Sequence, residues 1–222
     1  MNKKKLIVFL IIILLIIIGI ILFFTKNTAK TFKIGNNMTS QEIVDYILNI
    51  NSYETKITVD VKSNKNSNKY VLRQQYTKDN VLTQEVLEPT NIAGIKIVKN
   101  ENSLKLENTN LNLSTVFENY NYIADNSLDL NEFIDDYKNS NESKFEEKDN
   151  QIIMRTSNVT DNKYRKYKVL YIDAQTYNPI KMEIEDYNRN TLVYISYNEV
   201  KLNSINKEDI LAFKLYDFQD QI

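Results

Sequence analysis

Acidic residues set side by side are the first candidates for chemistry in this chain. Asp135-Asp136 and Glu146-Glu147 are adjacent pairs of the kind that could divide general acid and general base work. Neighbours on a helix or strand point in different directions, so this spacing favours solvated surface over a converging catalytic pair. The usual helpers are missing. The 222-residue chain holds no histidine and no cysteine, which removes Ser-His and Cys-His nucleophiles, thiolate chemistry, disulfides and most zinc sites. Asp186-Tyr187-Asn188-Arg189-Asn190 opens like a calcium loop, with oxygen donors at alternate positions. Thr191 stands where that loop needs glycine and Tyr197 where it needs the closing glutamate, so a hairpin turn is the better reading. Asn-x-Ser/Thr triplets begin at Asn37, Asn112, Asn141 and Asn158, as chance provides in a chain so rich in asparagine. The expectation is a protein that is not an enzyme, with no catalytic residue, no metal and no cofactor.

What remains is surface and apolar face. Fifteen tyrosines and no tryptophan invite a recognition reading. Tyr164, Tyr167, Tyr171, Tyr177, Tyr187, Tyr194 and Tyr197 gather near the end on both strand faces, where tyrosine is an ordinary sheet residue and the exposed ones are available to a protein partner. Two alternating apolar sets, Ile57/Val59/Val61 and Ile180/Met182/Ile184, are either core or the lining of a greasy concave face. The formal net charge is −1, and three of the 28 Lys and Arg residues precede the first apolar run. Nothing in that balance steers toward nucleic acid.

The elements that must position these residues begin with a helix. Leu6 to Phe24 contains no charged, polar or proline residue, about the ~20 residues needed to cross a hydrocarbon core. Lys3, Lys4 and Lys5 in front of it bias the N-terminus to the cytoplasm. A cleaved signal peptide is the competing reading. Its apolar core is shorter, roughly 7 to 15 residues, and Thr25 to Lys30 offers no small-x-small cleavage site, so an uncleaved signal-anchor is expected. The organisation read from this is a cytoplasmic tail (1–5), a transmembrane anchor (6–24), a polar stalk (25–37) and one extracytoplasmic domain (38–218). With three glycines and two prolines, that domain is not linker-dominated. Abundant Asn, Lys and Ile suit an A/T-rich genome and point to a Gram-positive bacterium.

Within the domain, Thr39-Ser40-Gln41-Glu42 fits a capping box ahead of a helix carrying Ile43, Tyr46, Ile47 and Ile50. The period then changes to two, and about five strands are expected between Tyr53 and Glu107, joined by polar turns. Leu113 to Phe117 reads as a helical turn. Asp129-x-x-Glu132 reads as the cap of a second helix with Leu130, Phe133, Ile134 and Tyr137 at i, i+3, i+4 and i+7. Four or five further strands follow between Lys144 and Leu202. The expected class is α+β: a strongly bent antiparallel sheet of about 9–11 strands, a half-open barrel, with helices against its concave face.

Three segments in this order carry a family resemblance. They are Tyr53-Glu54-Thr55-Lys56-Ile57-Thr58-Val59 after the opening helix, Val86-Leu87-Glu88-Pro89-Thr90-Asn91-Ile92-Ala93-Gly94, and Tyr177-Asn178-Pro179-Ile180-Lys181-Met182-Glu183. The chain resembles the LolA superfamily of periplasmic lipoprotein carriers, and within it the clostridial germination lipoprotein GerS and its relatives. The resemblance implies a half-open barrel, with Leu130, Phe133, Ile134 and Tyr137 on a lid helix over Ile57, Val59, Val61, Ile180, Met182 and Ile184. It also implies a place in the spore envelope and a protein partner, a cortex amidase in the GerS case. The chain departs from GerS in lacking a lipidated cysteine, and a membrane helix stands in its place. Two functions stay open at this point: a fixed, partner-binding envelope factor linked to cortex modification or germination, and a carrier of lipid or lipoprotein.

Overall fold

The computed structural model describes residues 38–62, 67–79, 81–100, 103–118, 128–158, 164–206 and 210. The expected tail, anchor and stalk (1–37), and residues 211–218 at the end of the expected domain, lie outside the described residues. Among those described, no helix is long and apolar enough to cross a membrane.

Helix α1 (Ser40–Leu48) starts where the capping box places it. Glu42 N–H donates to Thr39 Oγ1 at 3.3 Å and Thr39 N–H donates back to Glu42 Oε2 at 2.8 Å, which satisfies two of the donors that a helix start leaves free. The helix buries Ile43, Val44 and Ile47. Among the described residues eleven strands and one more helix of this length follow: β1 (Ser52–Lys62), β2 (Ser67–Thr77), β3 (Val81–Glu88), β4 (Ile95–Lys99), β5 (Ser103–Asn108), β6 (Leu113–Glu118), α2 (Leu130–Asn139), β7 (Lys144–Lys148), β8 (Gln151–Ser157), β9 (Tyr167–Asp173), β10 (Pro179–Glu185) and β11 (Thr191–Leu202).

All eleven strands join one sheet in the order β6-β5-β4-β3-β2-β1-β11-β10-β9-β8-β7. Every pairing is antiparallel. The sheet is therefore open, made of two meandering wings that meet at its centre, where the first strand pairs with the last. Val61 stands opposite Val193 there and Tyr53 opposite Leu202. Register shifts at Glu54/Lys56, Val71/Leu72, Pro179/Lys181 and Ile184/Glu185 interrupt the ladder. Such bulges bend strands and increase their twist.

One expected element is corrected. Leu113 to Phe117 is not a helical turn but most of strand β6, paired residue for residue with β5 from Leu113↔Asn108 to Phe117↔Leu104. Leu113, Val116 and Phe117 have helical spacing, yet β5 beside them offers a complete ladder of hydrogen-bonding partners. A single helix therefore separates the two wings among the described residues.

The segment from Val86 to Gly94 forms the corner between β3 and β4, with a cis peptide at Glu88-Pro89. Gly94 has φ +82°, and a Cβ there would lie 2.7 Å from Thr109 Oγ1 and 2.8 Å from Asn110 Nδ2. Its N–H donates to Val86 O and its carbonyl accepts from Thr109 N–H, both at 2.9 Å. Asn110 Nδ2 donates to Ala93 O at 2.7 Å. This corner thus holds the turn that leads into β6.

The core lies between the helices and one face of the sheet. Ile43, Val44 and Ile47 of α1 and Leu130, Phe133 and Ile134 of α2 pack with Tyr53, Ile57, Val59, Leu72, Ile152, Met154, Leu170, Ile172, Met182, Ile184, Ile195 and Tyr197. At roughly 1.5–3 kcal/mol for each fully buried aliphatic or aromatic side chain, this cluster is the main favourable term in a fold with no disulfide.

Candidate functional site

Helix α2 crosses the helix-bearing face and is clasped to both wings by buried polar groups. Asp129 precedes its first turn. The expected cap is corrected here: the Asp129 side chain makes no cap hydrogen bond. Its Oδ1 instead accepts from Nε2 of Gln84 on β3 and, at 3.4 Å, from Nε2 of Gln74 on β2. All three side chains are buried. Burial, reinforced by the Glu132 charge and opposed by Lys99 and Lys168, pushes the Asp129 carboxyl from an ordinary value of 3.8 to about 8. A neutral carboxyl at this spot is the physically cheaper state, since its direct partners among the described residues are neutral amides.

One and two helical turns further on, at Glu132 and Asp136, the clasp reaches the other wing. Lys168 on β9 has no solvent exposure; its Nζ lies 2.7 Å from Asp136 Oδ2 and donates to Glu132 Oε1 at 3.1 Å. The solvated reading of Asp135-Asp136 is therefore half right. Asp135 is exposed, whereas Asp136 is buried against Lys168. Glu146-Glu147 is exposed on β7. At the centre, Tyr53 of β1 donates its hydroxyl to Asn131 Oδ1 of α2 at 3.2 Å and stacks on Tyr76, ring centroids 5.3 Å apart. The Tyr197 hydroxyl of β11 is buried with no hydrogen-bond partner among the described residues, and burial beside Asp129 raises its pKa. Taken together, the ionisable groups on this face hold one helix across a seam.

The sequence-derived residues fall around this clasp. Ile57, Val59, Met182 and Ile184 are buried in the core cluster, and Val61 packs against it half-buried. Ile180 is half-buried at the register shift between Pro179 and Lys181 and is not part of the cluster. Leu130, Phe133 and Ile134 are buried, and Tyr137 is half-buried with its ring 6.0 Å from that of Phe133. Helix residues thus cover the sheet residues that a ligand would have to touch. Two open surface grooves are also present, the first reaching Ile43, Ile152 and Tyr177 at the margin of the core cluster. One, of about 710 Å³, is lined by residues including Thr39, Ile43, Glu147, Asn150 and Tyr177. The other, of about 580 Å³, is lined by residues including Lys144, Arg155, Tyr167 and Arg189. Asp186 closes the turn of the rejected calcium loop by accepting from Asn190 N–H at 2.8 Å.

Sequence reasoning missed Asp129, Gln74, Gln84 and Lys168 as a set. One signal was present: Lys168 shares the parity of Leu170 and Ile172, and a lysine in phase with a buried apolar face needs an acidic partner.

Residues 3–211 match the family described as "Sporulation protein YdcC-like". The chain belongs to this family. No curated protein matches it. Among solved structures it is similar to an uncharacterized conserved protein from Thermus thermophilus, with 11% identity and a TM-score of 0.51 over 78% of this chain and 93% of that one. It is similar to a chain in the complex of the CwlD amidase with the GerS lipoprotein from Clostridioides difficile, with 26% identity and a TM-score of 0.47 over 76% and 98%. It also matches a LolA superfamily protein from Nitrosomonas europaea, with 10% identity and a TM-score of 0.41 over 78% and 97%. GerS and the LolA superfamily, to which the sequence bears a resemblance, are both named among these matches.

Proposed function

We propose that this chain is a non-enzymatic, membrane-anchored factor of the spore envelope that acts by binding a protein partner. In this reading residues 6–24 anchor it, its N-terminus is cytoplasmic, and the domain from residue 38 faces the extracytoplasmic side. The observation that carries the proposal is the match to a sporulation family over residues 3–211, a span that includes the apolar run. The clasp supports it, because its acidic and basic groups serve to fix α2 across the sheet. An envelope amidase acting on the spore cortex is the partner class that the GerS-like sequence segments suggest.

The decisive experiment pairs genetics with direct binding. Deleting the gene in the sporulating host should leave cortex peptidoglycan unmodified and slow germination, and the purified full chain should bind that host's cortex amidase. Normal cortex chemistry in the deletion strain would overturn the proposal. A lipid carrier, the alternative reading, requires α1 and α2 to leave the sheet, since they cover Ile57, Val59, Met182 and Ile184. Mass spectrometry of ligands extracted from the purified chain distinguishes the two.

A further inference from the structure

The two ends of the sheet are finished differently. At one end, β7 reads Lys144-Phe145-Glu146-Glu147-Lys148, with four charges in five residues. Short, charged edges of this kind resist pairing with other chains. At the other end, β6 reads Leu113-Ser114-Thr115-Val116-Phe117-Glu118, with no lysine, no proline and an unbroken ladder to β5. All six residues are exposed. Of the seven large exposed apolar side chains among the described residues, five (Leu106, Leu111, Leu113, Val116 and Phe117) lie on the β5–β6 hairpin. An edge so undefended, apolar and regular is a template for another strand.

The strand is also complementary to itself. Directly opposed residues in an antiparallel pair point to the same face, so a strand can pair with its own copy only about a residue that faces itself. With Thr115 opposite Thr115, Leu113 meets Phe117 and Phe117 meets Leu113 on one face, while Ser114 meets Val116 twice on the other. Glu118 falls opposite Asn112, so no like charges meet. The Leu113/Thr115/Phe117 face is the helix-bearing one, because Leu104 opposes Phe117, Lys99 opposes Leu104 and Leu82 opposes Lys99, in phase with Gln84 of the clasp. We infer that β6 is the pairing edge of a homodimer, in which two copies of this chain join β6 to β6 antiparallel about a two-fold axis through Thr115. A two-fold axis perpendicular to the sheet keeps both helix-bearing faces on one side of a single continuous sheet.

The absence of cysteine makes the register directly testable in the full-length chain. Opposed antiparallel Cα atoms lie about 4.5 or 5.5 Å apart, and both separations fall within disulfide reach. Under mild oxidation in membranes, Thr115→Cys is expected to cross-link to itself. Its yield should exceed by about tenfold that of Asn188→Cys, an exposed-turn control, because pairing raises the effective concentration. Leu113→Cys alone should not cross-link, since its copy lies four residues away along the ladder, but Leu113→Cys mixed with Phe117→Cys should. Dimerisation through the apolar N-terminal run alone would not reproduce this pattern. Thr115→Cys yields no higher than the Asn188→Cys control, self-linking of Leu113→Cys as strong as that of Thr115→Cys, or Thr115→Cys cross-linked to a different protein would each overturn the inference.

Discussion

Lys168 and Asp129 are the side chains on which the helix-bearing face depends most. Lys168→Met would leave Asp136 buried opposite an apolar group, a change expected to cost about 3–5 kcal/mol in urea unfolding at neutral pH. Lys168→Met combined with Asp136→Leu should recover most of the loss, because no buried charge is then left alone. Asp129 has the opposite polarity of effect. Its folded pKa of about 8 lies above the ordinary 3.8, so between these values the folded state holds a proton that the unfolded state has lost. Stability should therefore fall as pH rises from about 4 to about 8, with a slope of up to about 1.4 kcal/mol per pH unit, and level off above. Asp129→Asn should flatten that slope in a pH series of thermal melts. The sequence displays Asp129 as a cap because Glu132 follows three residues later, a local pattern. The glutamines that claim it are distant in sequence and brought near only by the sheet, and no local spacing encodes them.

Elements whose signals are local are the more legible ones. The capping box at Thr39 and Glu42 is made as the spacing suggests, and Thr39→Ala is expected to lower stability by about 1 kcal/mol in denaturant unfolding. Strand alternation at Ile57/Val59 marks a buried face because neighbouring strands on both sides fix its parity. β6 reads as helical in sequence because Leu113, Val116 and Phe117 satisfy a helical period within five residues, too short a window for period alone to separate helix from strand. The β3–β4 corner explains why Gly94 sits where it does. Gly94→Ala must hold a side chain at φ +82° and push into Thr109 and Asn110, so a loss of roughly 1–2 kcal/mol or more is expected, with faster hydrogen exchange at Thr109 in the turn preceding β6.

At the scale of the molecule, the class of fold is readable from the order of strand and helix patterns, and the family that matches is one of sporulation proteins. The anchor is a separate matter, since residues 6–24 lie outside the described residues. Its expected behaviour is retention of the full chain in the membrane pellet after alkaline carbonate extraction, and release of the domain when residues 1–24 are removed; full release of the intact chain by carbonate would count against anchoring. The meeting of β1 with β11 also bears on how the molecule is made. Each wing can assemble from contacts between neighbours along the chain, but Val61 must wait for Val193 before the centre of the sheet exists. Until the last strand is synthesised, β1 keeps an open edge and the seam beneath α2 cannot close. Each wing is therefore a part without a finished core, and the body of the molecule closes only when β11 reaches β1.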